Sequence, residues 1–128
     1  LKASGITPIM LVAPTTTADR RQHILAHAGG FLYFVSLRGV TGTQEAQADA
    51  IAADIRTLKN ETDVPVCIGF GIRDGETARQ MAELADGVVI GSALVARLHA
   101  AFDAKQPLGD TATAFIRDIR AHLDKEPT

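Results

Sequence analysis

The chain has 128 residues, of which 46% are hydrophobic and 22% charged, a globular composition at the size of one ordinary domain rather than a disordered one. A net charge of -2 removes the basic footprint of a nucleic-acid or polyanion binder. A lone cysteine, Cys67, rules out a disulfide framework within the chain; no apolar run is long enough to span a bilayer and no signal-peptide pattern opens the sequence, so a cytoplasmic protein is expected.

The opening "LKASGITP" reads as the middle of a longer sequence. The first strand is predicted at Pro8–Val12. A helix follows over "TADRRQHILAHAG", with Thr17 as N-cap and Gly29-Gly30 as its stop. A second strand runs Phe31–Ser36 and places Phe31, Tyr33 and Val35 on one face. The loop "SLRGVTG" (Ser36–Gly42) leads into "EAQADAIAADIRTLKNE", where Ala48, Ile51, Ile55 and Leu58 share a helix face. Val64–Phe70 is a third strand and Asp74–Asp86 a third helix, burying Ala78, Met81, Ala82 and Ala85. A fourth strand, Gly87–Gly91, is followed at once by a helix from Ser92. A last helix over "DTATAFIRDIRAHLD" takes Asp110 or Thr111 as its cap, and Cys67 reads as a small core residue.

The strands are short, continuous and apolar, as expected of strands buried on both faces of a parallel sheet. Strict strand–helix alternation predicts an α/β fold with right-handed crossovers and a single domain, 1–128. An open four-stranded sheet and half of a (β/α)8 barrel both satisfy this alternation. The half-barrel is favoured because "GFGI" and "GSAL" lie at the carboxyl ends of the last two strands. Loops after the last two strands of such barrels, with an extra short helix, commonly hold phosphate.

The chemistry of those tips is that of an anion site. A phosphate dianion needs several N–H donors at short range and the positive end of a helix dipole. Gly69, Gly71 and Gly91 let the backbone approach, and Ser92 adds a hydroxyl and is itself a suitable N-cap. Either tip alone is an ordinary βα turn; the pair on adjacent strands points to phosphate. No Walker loop or dinucleotide fingerprint is present. Tyr33, the single tyrosine, requires a hydrogen-bond partner as core packing or serves as a flat wall for an aromatic ligand. The loop Ser36–Gly42 sits where lids are found. His23, His27, His99 and His122 all fall on helices, so no metal site is expected, and Arg20 and Arg21 read as solvated.

Together "GITPIMLVAPTT", "FLYFVSLRGVTG", "VPVCIGFGI" and "DGVVIGSALV" resemble the tryptophan synthase alpha subunit family, over Gly5 to about Leu123. The resemblance implies a parallel (βα)4 half-barrel, strands five to eight of a TIM barrel. It implies aldol cleavage of indole-3-glycerol phosphate to indole and glyceraldehyde 3-phosphate, in tryptophan biosynthesis. Gly71 and Ile72 match one phosphate loop of the family, and Gly91 and Ser92 the other. Phe70 matches an aromatic residue of the indole pocket and Tyr33 the tyrosine near the substrate. Thr41 and Gly42 match the closing loop. Pro14 and Thr15 fall near the beta-subunit surface.

The resemblance further implies no cofactor, pyridoxal phosphate belonging only to the beta-subunit partner. The family's proton transfers use a glutamate and an aspartate in a motif E-L-G-x-P-x-S-D-P, and the 128 residues contain no such stretch. Asp19, Glu45, Asp49, Asp74 and Glu76 lie at or after helix starts and read as structural. The chain is therefore expected to lack catalytic residues of its own and to be inactive alone. The exposed half-barrel is expected to self-associate or to need the missing half. Two other readings stay open: the phosphate half of another isomerase or flavin barrel, and a non-catalytic phosphate-binding or interaction module.

Overall fold

The computed structural model describes residues 2–35 and 44–125. After a 3-10 turn (Lys2–Ser4) the elements are β1 (Met10–Val12), α1 (Ala18–His27), β2 (Leu32–Phe34), α2 (Gln44–Glu61), β3 (Val66–Ile68), α3 (Gly75–Ala82), β4 (Gly87–Val88), α4 (Ser92–Asp103) and α5 (Leu108–Leu123). All strand pairs are parallel and the sheet order is β1-β2-β3-β4. The predicted alternation and the extra helix after the last strand are both present; each strand is shorter than the apolar run that encodes it.

The core follows from strand alternation. Val12, Leu32, Phe34, Val66 and Ile68 point to one face and pack with Ile55 and Leu58 of α2. Leu32 and Val66 are completely buried. A second cluster joins Ile72 and Ala78 to Phe115 and Ile119, tying α3 to α5. The other sheet face is different. Leu11 is exposed, and Tyr33 and Cys67 are only half-buried. Burial on both faces, expected from the apolar runs, is not seen among the described residues, whose helices cover one face only. Cys67 stands on the uncovered face, where burial, and next Asp86, push its thiol pKa up; it is not a core residue. Ala48, assigned to the buried face of α2, is exposed.

Three helix ends depart from expectation. α3 stops at Ala82 with Glu83 as C-cap, although Ala85 beyond it is buried. The chain leaves the helix because Asp86 is held elsewhere: its carboxylate accepts the Val66 N–H at 2.9 Å and the Lys59 ammonium at 2.8 Å. α5 begins two residues before Asp110, with Pro107 at the N-cap and no side-chain cap. Proline fits there because it has no N–H to satisfy, and Asp110 instead adds charge to the first turn. Thr17 does cap α1, accepting the Arg20 N–H at 3.4 Å. Arg21 is not simply solvated. It forms a two-pronged pair with Glu61, at 2.6 and 2.8 Å, clasping α1 to the end of α2, and that guanidinium holds the Glu61 carboxyl below its ordinary range.

The Lys59 hydrogen bond, then the Val66 N–H, keep the Asp86 carboxyl below the ordinary carboxylate pKa. A carboxylate favoured in the folded state stabilises above its unfolded pKa, and that contribution fades as pH falls through the folded value. Asp86→Asn is expected to cost about 1 kcal/mol near neutrality, since the pair is partly open to solvent. It should also flatten the fall in stability below about pH 4. Urea unfolding at several pH values measures both; an unchanged acid limb would contradict the assignment.

Candidate phosphate-binding site

β3 and β4 lie side by side and run in the same direction, so their carboxyl ends open at one rim of the sheet. Gly69 leaves β3 with its N–H on the Phe34 carbonyl at 3.4 Å, and Val89 leaves β4 with its N–H on the Ile68 carbonyl at 2.9 Å. The two tips are therefore held in parallel by ladder bonds that continue past the strands. The Tyr33 hydroxyl donates to the Gly69 carbonyl at 3.2 Å. A Cβ at Gly69 would overlap that hydroxyl and come within 3.1 Å of Val89 Cβ. Glycine at 69 is thus required by the approach of Tyr33, a role that the sequence reading assigned to anion access.

Gly71 turns the first tip with φ +66, a left-handed conformation that costs other residues free energy. The Ile72 side chain is buried beneath the rim in the α3–α5 cluster, so any contact of Ile72 with an anion runs through its backbone. At the second tip Gly91, not Ser92, is the N-cap of α4, and no side chain caps the helix. Ser92 is the first helical residue and is exposed. A Cβ at Gly91 would meet nothing within 4 Å. The start of α4 therefore presents first-turn N–H groups and the positive dipole end to open space. Phe70 is half-buried between Gly69 and Gly71. The structure brings Tyr33, Gly69 and Val89 together at the rim, with Gly71 and Gly91 at the two adjacent tips.

Other predicted positions lie elsewhere. Thr41 and Gly42 fall outside the described residues. Pro14 and Thr15 are exposed in the loop after β1. Asp74 closes a capping box with Thr77, and its hydrogen bonds to Thr77 hold its carboxyl below the ordinary range. Asp19 and Glu76 sit in the first turns of α1 and α3. Among the described residues no group of three or more His, Cys, Asp or Glu side chains could hold a metal ion. One contact was not foreseen: Gly75 is buried because the His122 ring of α5 occupies the place of a side chain there. The glycine after Asp74 was legible as a helix start, but nothing in its neighbourhood marks a partner 47 residues away.

The family model described as "Tryptophan synthase alpha chain" matches residues 1–123. The tryptophan synthase alpha chain of Burkholderia multivorans is 48% identical over 126 residues, 97% of this chain and 45% of that protein. That of Paraburkholderia phytofirmans is 42% identical over 128 residues, 100% of this chain and 47% of its own length. The crystal structure of the alpha chain from Legionella pneumophila subsp. pneumophila superposes with a TM-score of 0.82 at 34% identity, covering 96% of this chain and 44% of that one. The chain thus spans a little under half the length of these relatives, and its four parallel strands match part of a TIM barrel. The glycine tips left an isomerase or flavin barrel open as alternatives; the match along nearly the whole sequence decides between them, and the chain belongs to the tryptophan synthase alpha chain family.

Proposed function

We propose that this chain provides the phosphate-gripping half, strands five to eight, of a tryptophan synthase alpha barrel. The complete barrel is a lyase of tryptophan biosynthesis that cleaves indole-3-glycerol phosphate to indole and glyceraldehyde 3-phosphate. The observation that carries this reading is the uncapped, open start of α4 beside the glycine-turned tip of β3. N–H groups from Gly71, Ile72 and Ser92, with the Ser92 hydroxyl, hold the phosphate at the positive end of the α4 dipole. Tyr33, oriented by its bond to the Gly69 carbonyl, and Phe70 border the indole ring. Thr41 and Gly42 belong to the loop that closes over the substrate.

Cleavage also needs protons moved at the bond being broken. The carboxylates for that work come from the other half of the barrel, so this chain alone is inactive. No cofactor enters the reaction; pyridoxal phosphate belongs to the beta subunit, the partner of a complete alpha chain. The setting proposed for this biosynthetic half-barrel is cytoplasmic; separately, among the described residues no helix is long and apolar enough to cross a membrane.

Gly91→Asp tests the clamp. The site has room for an aspartate Cβ and a negative charge suits the first turn of a helix, so the thermal midpoint should change little. That charge competes with phosphate, so affinity for glyceraldehyde 3-phosphate should fall at least about tenfold, given the strength of charge-assisted bonds at such sites. Calorimetric titration of both proteins measures this; equal affinities would overturn the clamp.

A further inference from the structure

The two jaws of the rim share one floor. Ile72 of the first tip is buried in a cluster with Ala78, Phe115 and Ile119. The second tip rests on the same cluster: Ile90, just before Gly91, and Ala93 and Leu94, just after Ser92, all pack against it. The ladder bond that joins the tips, Val89 N–H to the Ile68 carbonyl at 2.9 Å, is made before the jaws, and α4 starts with no side-chain cap. Past that bond, the element on which both tips rest is α5. It is held firmly itself. Phe115, Ile119, His122 and Leu123 recur three and four residues apart and share one face of the helix. The His122 ring packs where Gly75 has no side chain, and the Arg79 guanidinium of α3 donates to the His122 and Lys125 carbonyls at 3.4 and 3.1 Å. On the α4 side the Arg97 guanidinium lies over the Phe115 ring, 4.6 Å from its centroid. Phe115, 4% exposed, thus touches α4 and shares a cluster with Ile72.

We propose that Phe115 and Ile119 are positioning residues for the phosphate clamp. From α5, which forms no part of the rim, they fix the separation between the backbone N–H groups of Gly71 and Ile72 and those at the start of α4. That role exists only if the rim is the clamp proposed for it. A phosphate held by N–H groups from two separate tips is sensitive to their separation, because good N–H···O bonds span only about 2.7–3.2 Å. At a reacting site a misplacement of about 1 Å costs about 10²-fold. Close-packed interiors transmit such shifts, so the loss of one methylene beneath the tips is felt where they open. Helical periodicity alone marks Phe115 and Ile119 as core; their place under both tips at once is what gives them a second task.

Inorganic phosphate titrated into the 128-residue chain and its variants, well below every thermal midpoint, tests this. Phe115→Leu should raise the phosphate dissociation constant about tenfold. Ile119→Val, one methylene smaller, should raise it in the same sense by less, and it carries the test if Phe115→Leu does not fold. Ile55→Val makes the same deletion in the other cluster, between α2 and the sheet. It should lower the thermal midpoint as Ile119→Val does and leave the constant unchanged. That split between affinity and stability separates positioning from ordinary core packing. Unaltered affinity in both α5 variants, or an equal loss in Ile55→Val, would overturn the positioning role and leave the clamp in place. No binding of phosphate by the unsubstituted chain would overturn the clamp, and this role with it.

Discussion

Given indole-3-glycerol phosphate, the isolated chain is expected to release indole at least about 10⁴-fold more slowly than a full-length relative, because the proposed function places two proton-transfer groups in the other half of the barrel and each such group supplies about 10²–10⁴. Three of the 15 carboxylates it does contain are committed to other tasks. Asp74 bonds Thr77 in a capping box, Glu61 pairs with Arg21, and Asp86 receives Lys59 and the Val66 N–H where β3 begins, at the end of the sheet away from the rim. Chromatographic detection of indole under single-turnover conditions gives the comparison. A rate within tenfold of the relative would mean that a carboxylate in this chain does the work assigned to the other half.

Phe34→Ala should be the most damaging single change to the fold. Phe34 is among the largest completely buried side chains, at 1% exposure, in the cluster that joins β1, β2 and β3 to α2. Removing a buried phenyl ring loses its transfer free energy and leaves a cavity, together about 3–5 kcal/mol. Domains of this kind hold about 5–15 kcal/mol in total, and a half-barrel with one bare face belongs at the low end. The variant is therefore expected to be largely unfolded at 37 °C. Urea titration at fixed protein concentration, needed because association adds to apparent stability, measures the loss. A change under 1 kcal/mol would place the core elsewhere.

Much of this architecture was legible because its signals are local. Four apolar runs, each followed by an amphipathic stretch, determine the order of elements, and Thr17 and Asp74 mark helix starts by chemistry that needs no tertiary contact. What the sequence concealed depends on contacts far apart in the chain. An apolar run says that a strand is wanted inside something, not which of its faces the neighbouring helices cover, so "FLYFV" reads the same whether Tyr33 faces a core or an open sheet face. The end of α3 was invisible because "AELAD" suits a helix; Asp86 is drawn off by Lys59, 27 residues earlier. Arg21 looked like a solvated charge because Glu61 lies 40 residues away. In the candidate site, the glycines of the two tips were readable as a pattern, but their roles separate only in three dimensions. Gly69 makes way for Tyr33 and Gly71 makes a turn, while Gly91 leaves a helix start open.

The rim of β3 and β4 is proposed as an anion clamp. Its most direct test is an amide-resolved NMR titration of the chain with inorganic phosphate. Saturable shifts should centre on Gly71, Ile72, Gly91 and Ser92, with Tyr33 following through its bond to Gly69. No shift at these amides, or shifts centred on the loop after β1, would contradict it.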